Sequence, residues 1–399
     1  MLTETLASLY EEMRNYTRGT DISTPMAVLF QIVMRYAMEN RIGLVLDRNF
    51  DAYIQMARNL ENPYHLYGKK ELKEFLADMD EALQKDGYDE ISDMLELVPF
   101  MYDEKEWKRF NEILGTKAFR STYENFLKED FRDGSSMDSL PYTLSYQARK
   151  DLRDHRSYSL GTMLSKALEL NAESMVVDEL ENSEFMLSAI ALSSSCRIIT
   201  EKKSLLMRML SPLSMRKGSL EKGEKNALLL SENLPKDLES ALQDYGKIAY
   251  FAPSALLLSS SRENLETRKE LISSGRIESV MVLPPLSTSS NESTTILILN
   301  GKENDHIGFA DLNSRSKDRN YAKDNQLTEN AIEVLSSLLQ EEKETDGISR
   351  CVSYGEVREK KILVPMNYLE SKVETELDTE EIEKRIDTLY GKLAALMEL

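Results

Sequence analysis

The stretch RKELISSGRIESVMVLPP, residues 268–285, decides the fold class. Its first half has the composition of a helix that ends at a glycine, a residue that readily takes the left-handed conformation found at helix ends. The apolar run that follows is bounded by two prolines and predicts a buried strand. A second apolar run, STTILILNGK (293–302), comes after a turn rich in Ser, Thr and Asn. A helix followed by two apolar strands indicates an α/β sheet, with the two strands forming an antiparallel hairpin at the edge of the sheet.

The region around this stretch repeats the same alternation of strand and helix. Four further apolar runs predict strands: SMVVDEL (174–180), NALLLSE (226–232), KIAYFAP (247–253) and HIGFADL (306–312). The segments 181–192 and 262–275 between them have the composition of helices. Strands separated by helices are typical of a largely parallel, doubly wound sheet, so we expect an α/β fold with one terminal antiparallel hairpin.

Changes in the hydrophobic pattern divide the chain into three segments. Residues 1–130 have apolar side chains at helical spacing and predict an all-helical N-terminal domain, and the Gly, Ser, Asp and Pro content of residues 131–141 predicts a linker. The α/β domain is expected over residues 142–345 and a C-terminal segment over 346–399. That segment ends in an amphipathic helix, which either packs on its own domain or docks on the helices of a partner.

Composition excludes several classes of protein. The chain has 399 residues and a formal net charge of −19, which is unfavourable for a protein that binds nucleic acid by itself through phosphate contacts. Its two cysteines are not in CxxC spacing and its three histidines stand in no metal-ligand motif, so neither a disulfide scaffold nor a metal site is expected. The N-terminus does not have the pattern of a secretory signal, and we expect a cytoplasmic protein without a membrane span.

The order of motifs in residues 246–312 resembles the modification (M) subunit of type I restriction-modification systems. That order is a strand ending in proline, a helix with an arginine, a strand ending in Leu-Pro, a Thr-rich turn, an ILxL strand and a strand ending in Asp. The tail CVSYGEVREKKILVPMNYLESK (351–372) is similar to the same family. These subunits are N6-adenine DNA methyltransferases, so the resemblance implies a methyltransferase-like (Rossmann-like) fold and S-adenosylmethionine as the cofactor. It also implies a specificity-type subunit or an active methyltransferase as partner through the C-terminal helix, with DNA reached through that partner.

The resemblance implies cofactor-binding residues at the positions that match the motifs of the family. Tyr142 and Thr143 match the family's aromatic-Thr-Pro, although Leu144 stands where the proline belongs. The family's glycine-rich methionine loop corresponds to HRSYSLGTML (155–164), in which only Gly161 remains of the glycines. Glu179 falls where the family places the carboxylate that holds the two ribose hydroxyls.

The catalytic position implied by the resemblance is SENLPKD, residues 231–237. The family uses Asn/Asp-Pro-Pro-Tyr/Phe, in which the polar side chain accepts from the adenine amino group and the aromatic ring stacks on the flipped base. Here Glu232 or Asn233 would be the polar residue, and neither is followed by two prolines and an aromatic residue.

Three hypotheses about function follow. The first is a methyltransferase-like subunit that has lost catalysis and acts by binding a partner subunit or DNA. The second is an active adenine-specific DNA methyltransferase that uses Glu232 or Asn233 in a variant motif. The third is an unrelated α/β interaction protein with a similar order of strands.

Overall fold

A computed structural model describes residues 155–201, 227–286, 292–315 and 318–369. Several predicted features lie outside these residues: the N-terminal helical domain, the linker, Tyr142, Thr143 and the C-terminal amphipathic helix.

The described residues alternate between helices and strands, as the sequence predicts. The helices are α1 (Tyr158–Ala167), α2 (Glu184–Ser194), α3 (Leu238–Tyr245), α4 (Ser254–Leu258), α5 (Arg262–Ser274), α6 (Glu329–Glu341), α7 (Tyr354–Lys360) and α8 (Met366–Leu369). The strands are β1 (Met175–Asp178), β2 (Arg197–Thr200), β3 (Ala227–Ser231), β4 (Lys247–Ala252), β5 (Ile277–Leu283), β6 (Thr294–Asn300), β7 (His306–Asp311), β8 (Ala322–Lys323), β9 (Gln326–Leu327) and β10 (Ser349–Ser353). Gly275 follows α5 with φ of +73°, so the helix ends at the glycine that the opening stretch predicts.

One eight-stranded sheet organises the fold, in the order β10-β7-β5-β6-β4-β3-β1-β2. Six of its strands are parallel, and β6 and β10 run antiparallel to their neighbours. The predicted doubly wound α/β fold is therefore confirmed. The small hairpin of β8 and β9 forms a separate sheet.

The predicted antiparallel hairpin is present, but its expected place at the sheet edge is wrong. Strand β6 pairs with β5 on one side and with β4 on the other, so the hairpin lies inside the sheet. The physical reason is visible in the sequence TTILILN, whose five central residues are all buried, because a strand covered on both faces is apolar throughout rather than alternating.

The two edges of the sheet are strands that the apolar runs did not predict. Strand β2 has one buried residue and β10 has two, separated by an exposed and a half-buried position, so neither forms an apolar run. Strand β10 pairs with β7 and lies beyond residue 345, so the sheet continues past the expected end of the α/β domain.

Each face of the sheet has its own core. In β6, Ile296 and Ile298 point into the core that includes residues of α1, α2 and α6, whereas Leu297 and Leu299 point into the core on the opposite face. This alternation follows from the two-residue period of a strand. Phe251 of β4 belongs to the α1–α2 side, which places its ring beneath the residues that precede α1.

Candidate functional site

The strand order places the switch point of the sheet at the carboxyl ends of β1 and β3. Strand β1 connects through α2 to β2 on one side, whereas β3 pairs with β1 on the other side. In doubly wound sheets, ligands bind outside the carboxyl ends of the strands where the direction of winding reverses. The loops 179–183 and 232–237 therefore flank the candidate ligand crevice.

The loop after β1 is held in place by Asp178. The carboxylate of this buried residue accepts hydrogen bonds from the backbone N–H of Leu180, from the Ser183 hydroxyl at 3.0 Å and from the Thr200 hydroxyl at 3.1 Å. Three donors from the loop and from β2 fix the turn without a glycine, and Asn182 takes the left-handed position with φ of 51°. The loop thus has a defined shape that is closed by its own side chains.

The N-terminus of α2, which follows this loop, carries a carboxylate of the protein. Glu184 is the first residue of the helix and is buried. Its Oε2 lies 3.3 Å from Nδ1 of His155, a distance that fits an ion pair without the angle of a hydrogen bond. The partial positive charge at a helix N-terminus favours an anion, and here the chain itself supplies one.

The structure contradicts the expected loop at residues 155–164. Most of this stretch is the first part of α1, and Gly161 lies inside the helix. A Cβ atom on Gly161 would stand 2.0 Å from the carbonyl oxygen of Met186 in α2. The glycine therefore serves the close packing of α1 on α2, and the loop at the crevice is 179–183 instead.

Glu179 lies at the crevice, directly after β1. Its backbone N–H donates to the carbonyl of Leu230, and its exposed carboxylate accepts from the Ser231 hydroxyl at 3.1 Å. Burial raises the pKa of Tyr245, and the negative charges of Glu179 and Asp244 raise this pKa further. The part expected for Glu179, binding of the cofactor ribose, stays a prediction.

Glu232 and Asn233 also lie at the crevice, in the turn after β3. The Ser231 hydroxyl oxygen accepts from the Asn233 backbone N–H at 3.1 Å, and its single proton points to either the Asn233 carbonyl at 3.0 Å or the Glu179 carboxylate, which makes the turn compact. The predicted cofactor-binding residue Glu179 and the predicted catalytic residue Asn233 are therefore close, because both contact Ser231. Catalytic roles for Glu232 and Asn233 remain predictions.

Sequence reasoning missed Arg156, which joins both loops. Its backbone N–H donates to the carbonyl of Asn182 at 2.9 Å, and its guanidinium pairs with the Glu232 carboxylate. The guanidinium carbon also lies 4.6 Å from the centre of the Phe251 ring. No local motif marks this arginine, because its partner Glu232 is 76 residues away in sequence.

A second residue missed by the sequence reasoning is Glu201. It is exposed, follows β2 directly and stands 23 positions after Asp178 (201 − 178) at the end of β1. In dinucleotide-binding doubly wound sheets, an acid about 20 residues after the first loop binds the ribose hydroxyls, so Glu201 is a second candidate for that part. The available signal was an acid directly after the short β-branched segment RIIT (197–200).

Comparison with known families supports the sequence resemblance. Residues 237–378 match the family model described as N-6 DNA methylase. The resemblance is confirmed. The segment that matches the N-6 DNA methylase family model begins at Asp237, two residues after the SENLP turn ends at Pro235, and no curated protein matches the chain.

The chain is similar to solved structures, one of which has a TM-score above 0.5. A type I restriction-modification system methyltransferase subunit from Streptococcus thermophilus is 14% identical, with a TM-score of 0.58 over 92% of this chain and 98% of that protein. A modification subunit of a type I restriction enzyme from Vibrio vulnificus is 12% identical, with a TM-score of 0.47 over 95% of this chain and 98% of that one. At such identities, the Streptococcus structure establishes the methyltransferase-like fold and nothing finer.

The part of the chain that the structure describes offers neither a metal site nor a membrane-spanning helix. Residues 155–201, 227–286, 292–315 and 318–369 contain no group of His, Cys, Asp and Glu side chains placed to hold a metal ion. Over the same ranges, no helix has the length and apolar character to cross a bilayer.

Proposed function

We propose that this chain is a non-catalytic, N6-adenine DNA methyltransferase-like subunit of a type I restriction-modification-type system, which acts by binding a partner subunit or DNA. The observation that carries the proposal is the loop after β1. It contains no glycine, and the α2 N-terminus behind it holds the chain's own buried Glu184 beside His155.

The cofactor of the family fits this loop poorly. S-adenosylmethionine carries a carboxylate and an amino group, and a glycine-rich turn lets the backbone approach them closely. Here the turn has no glycine, and Glu179, Glu181 and Glu184 repel the cofactor's carboxylate although they attract its amino group. The same place in the fold is therefore unfavourable for the methionine part of the cofactor.

The turn after β3 supports the same conclusion. It offers an adenine amino group the Glu232 carboxylate, which Arg156 already engages, and it has no aromatic residue for stacking in the sequence SENLP. The net charge of −19 also makes contact with DNA by this chain alone unfavourable. A partner subunit with a basic surface is therefore the expected route to DNA.

Isothermal titration of the purified chain with S-adenosylmethionine tests the proposal. We expect no binding at millimolar cofactor, and no methyl transfer to duplex DNA by the chain alone or with a specificity subunit of its own system. An active adenine methyltransferase, treated in parallel, is the positive control.

Micromolar binding of S-adenosylmethionine would overturn the proposal. Methyl transfer that disappears in Glu232→Ala or Asn233→Ala would establish the alternative, an active adenine-specific methyltransferase with a variant motif. The binding part of the proposal is tested by size-exclusion chromatography with that specificity subunit, and co-elution as one complex is the expected result.

A further inference from the structure

The side chain of Arg156 lies across the loops that flank the candidate ligand crevice. Its Nε donates to the carbonyl of Glu181 at 3.3 Å, its Nη2 donates to Glu232, and its guanidinium covers the face of Phe251. These three partners come from the loop after β1, the turn after β3 and the end of β4. One side chain therefore bridges the carboxyl ends of three adjacent strands.

The chemistry of these partners selects a particular kind of group. An aromatic face attracts a cation placed above it, and a carboxylate and a carbonyl accept N–H donors from the edge of that cation. A planar guanidinium satisfies the ring with its face and the oxygens with its edge, whereas an ammonium cannot do both. The side chain of Arg156 is about one-fifth exposed and that of Glu232 just over one-third, so the pair is partly shielded from solvent.

The backbone around Arg156 is fixed independently of its side chain. The Ser157 hydroxyl accepts from the Leu160 N–H as the cap of α1, and it contacts the Ser159 hydroxyl at 3.0 Å. Ser159 in turn donates its N–H to the buried Gln326 side chain at 2.9 Å and accepts from the Leu327 N–H at 2.7 Å. The hairpin of β8 and β9 thus holds the first turn of α1 through Ser159, and Arg156 lies two residues before this helix begins.

We propose that Arg156 is an internal ligand that closes the crevice, and that Phe251, Glu232 and the Glu181 carbonyl form a slot for a planar cation of the guanidinium class. When the Arg156 side chain is removed, the slot accepts such a cation from solution. This inference goes beyond the proposed function, because its tests measure binding of a cation in place of Arg156 rather than binding of the methyl donor.

Chemical rescue of Arg156→Ala tests the slot. The probe is methylguanidinium chloride at millimolar concentration, and methylammonium chloride at the same ionic strength is the non-planar control. We expect methylguanidinium to raise the Tm of Arg156→Ala by roughly 2–4 °C at several times its dissociation constant, relative to methylammonium. Wild-type protein, whose slot is filled, should show no such difference.

Three further variants define the specificity of the rescue. Arg276→Ala is the matched control, because Arg276 donates to Glu239 and to the Gly301 carbonyl beside the amino end of β5, at the opposite end of the strands. It should show no rescue. Phe251→Leu or Glu232→Gln, combined with Arg156→Ala, should abolish the rise in Tm. An equal response in all variants, or none in Arg156→Ala, would overturn the proposal.

Labelling of the wild-type protein keeps the proposal testable if Arg156→Ala does not fold. Phenylglyoxal modifies arginine side chains, and mass spectrometry gives a rate for each site. We expect Arg156 to react roughly tenfold more slowly than Arg262, whose side chain is 92% exposed, because modification of Arg156 requires local opening. Glu232→Gln should speed modification of Arg156 and leave Arg262 unchanged, and equal rates for the two arginines in wild-type protein would contradict the closure.

Discussion

At the scale of the residue, Gly161 shows how one side chain can be recognised in the sequence and still be placed in the wrong structure. Its neighbours suggested a cofactor loop, but it packs in α1 against the backbone of α2. A single glycine fits both a loop and a helix crossing, and the strand that must precede a cofactor loop is found after this segment, at Met175–Asp178. The position is therefore governed by packing.

Gly161→Ala should destabilise the domain. Alanine is favoured over glycine within a helix by about 0.5–1 kcal/mol. Against this, the new methyl group would stand 2.0 Å from the Met186 carbonyl oxygen and 2.8 Å from the Ala189 Cβ, so two helices must move apart. Overpacking of this kind costs about 1–3 kcal/mol and exceeds the helix gain, so we expect a net loss in urea unfolding.

Gly301→Ala is the control for this substitution. The nearest atoms to a Cβ at Gly301 are backbone oxygens at 3.6 and 3.7 Å, which is ordinary contact. We expect a change within about 0.5 kcal/mol. Equal unfolding midpoints for the two variants would show that α1 and α2 accept the extra methyl group without cost, contrary to the distances above.

The residues at the crevice were predicted unevenly, for a physical reason. Glu179, Glu232 and Asn233 follow apolar runs, and the ends of parallel strands meet at one edge, so sequence order was enough to bring them together. Arg156 precedes a helix and reaches Glu232 through the tertiary fold. No periodicity in one sequence records such a contact, because it depends on the packing of α1 over the sheet.

At the scale of the element, apolar runs predicted six strands of the sheet, whereas the two edge strands were missed. A strand buried on both faces produces a continuous apolar run, as in β6, while the edge strands β2 and β10 have few buried side chains. The position of the hairpin was wrong for a related reason. Adjacency in sequence indicates pairing, but it does not show that β4 occupies the other side of β6.

Helix α5 illustrates an element whose arginine is structural. Arg268 is buried and donates three hydrogen bonds to the carbonyls of Leu256, Leu257 and Ser259, at the end of the short helix α4. The last carbonyls of a helix lack partners within it, so this side chain acts as the cap of α4. The arginine noted in the sequence motif thus joins two consecutive helices.

Arg268→Ala should cost about 2–4 kcal/mol of unfolding free energy, because it leaves buried carbonyl groups without a donor. Arg262→Ala on the same helix is the matched control, since that side chain is 92% exposed and makes only an i,i+4 pair with Glu266. Urea unfolding followed by circular dichroism measures both. A loss for Arg268→Ala no greater than that for Arg262→Ala would refute the capping role.

At the scale of the whole molecule, the sheet separates two cores, and its middle strands are covered on both faces. The central strands β4, β5 and β6 contribute side chains to both cores. The edge strand β2 has only one neighbour within the described sheet and one buried residue. Stability should therefore fall from the centre of the sheet towards its edges.

Hydrogen exchange should reveal this gradient. We expect backbone amides of Thr294–Asn300 to exchange only through global unfolding, and those of Arg197–Thr200 to exchange through local opening with a lower free energy. Mass spectrometry of peptides covering the two strands measures both rates under native conditions. Equal protection of β2 and β6 would mean that the described sheet opens as one unit.

One hydrogen bond links strand β5, inside the sheet, to helix α7, which follows the last strand of the sheet in the sequence. The Tyr354 hydroxyl, at the start of α7, accepts from the backbone N–H of Ile277 at 3.2 Å, beside the point where the register between β5 and β6 shifts. When synthesis has reached residue 311, seven of the eight strands of this sheet have been made. The acceptor for Ile277 emerges 77 residues after its donor, so a nascent domain cannot finish its centre until that tyrosine has been translated.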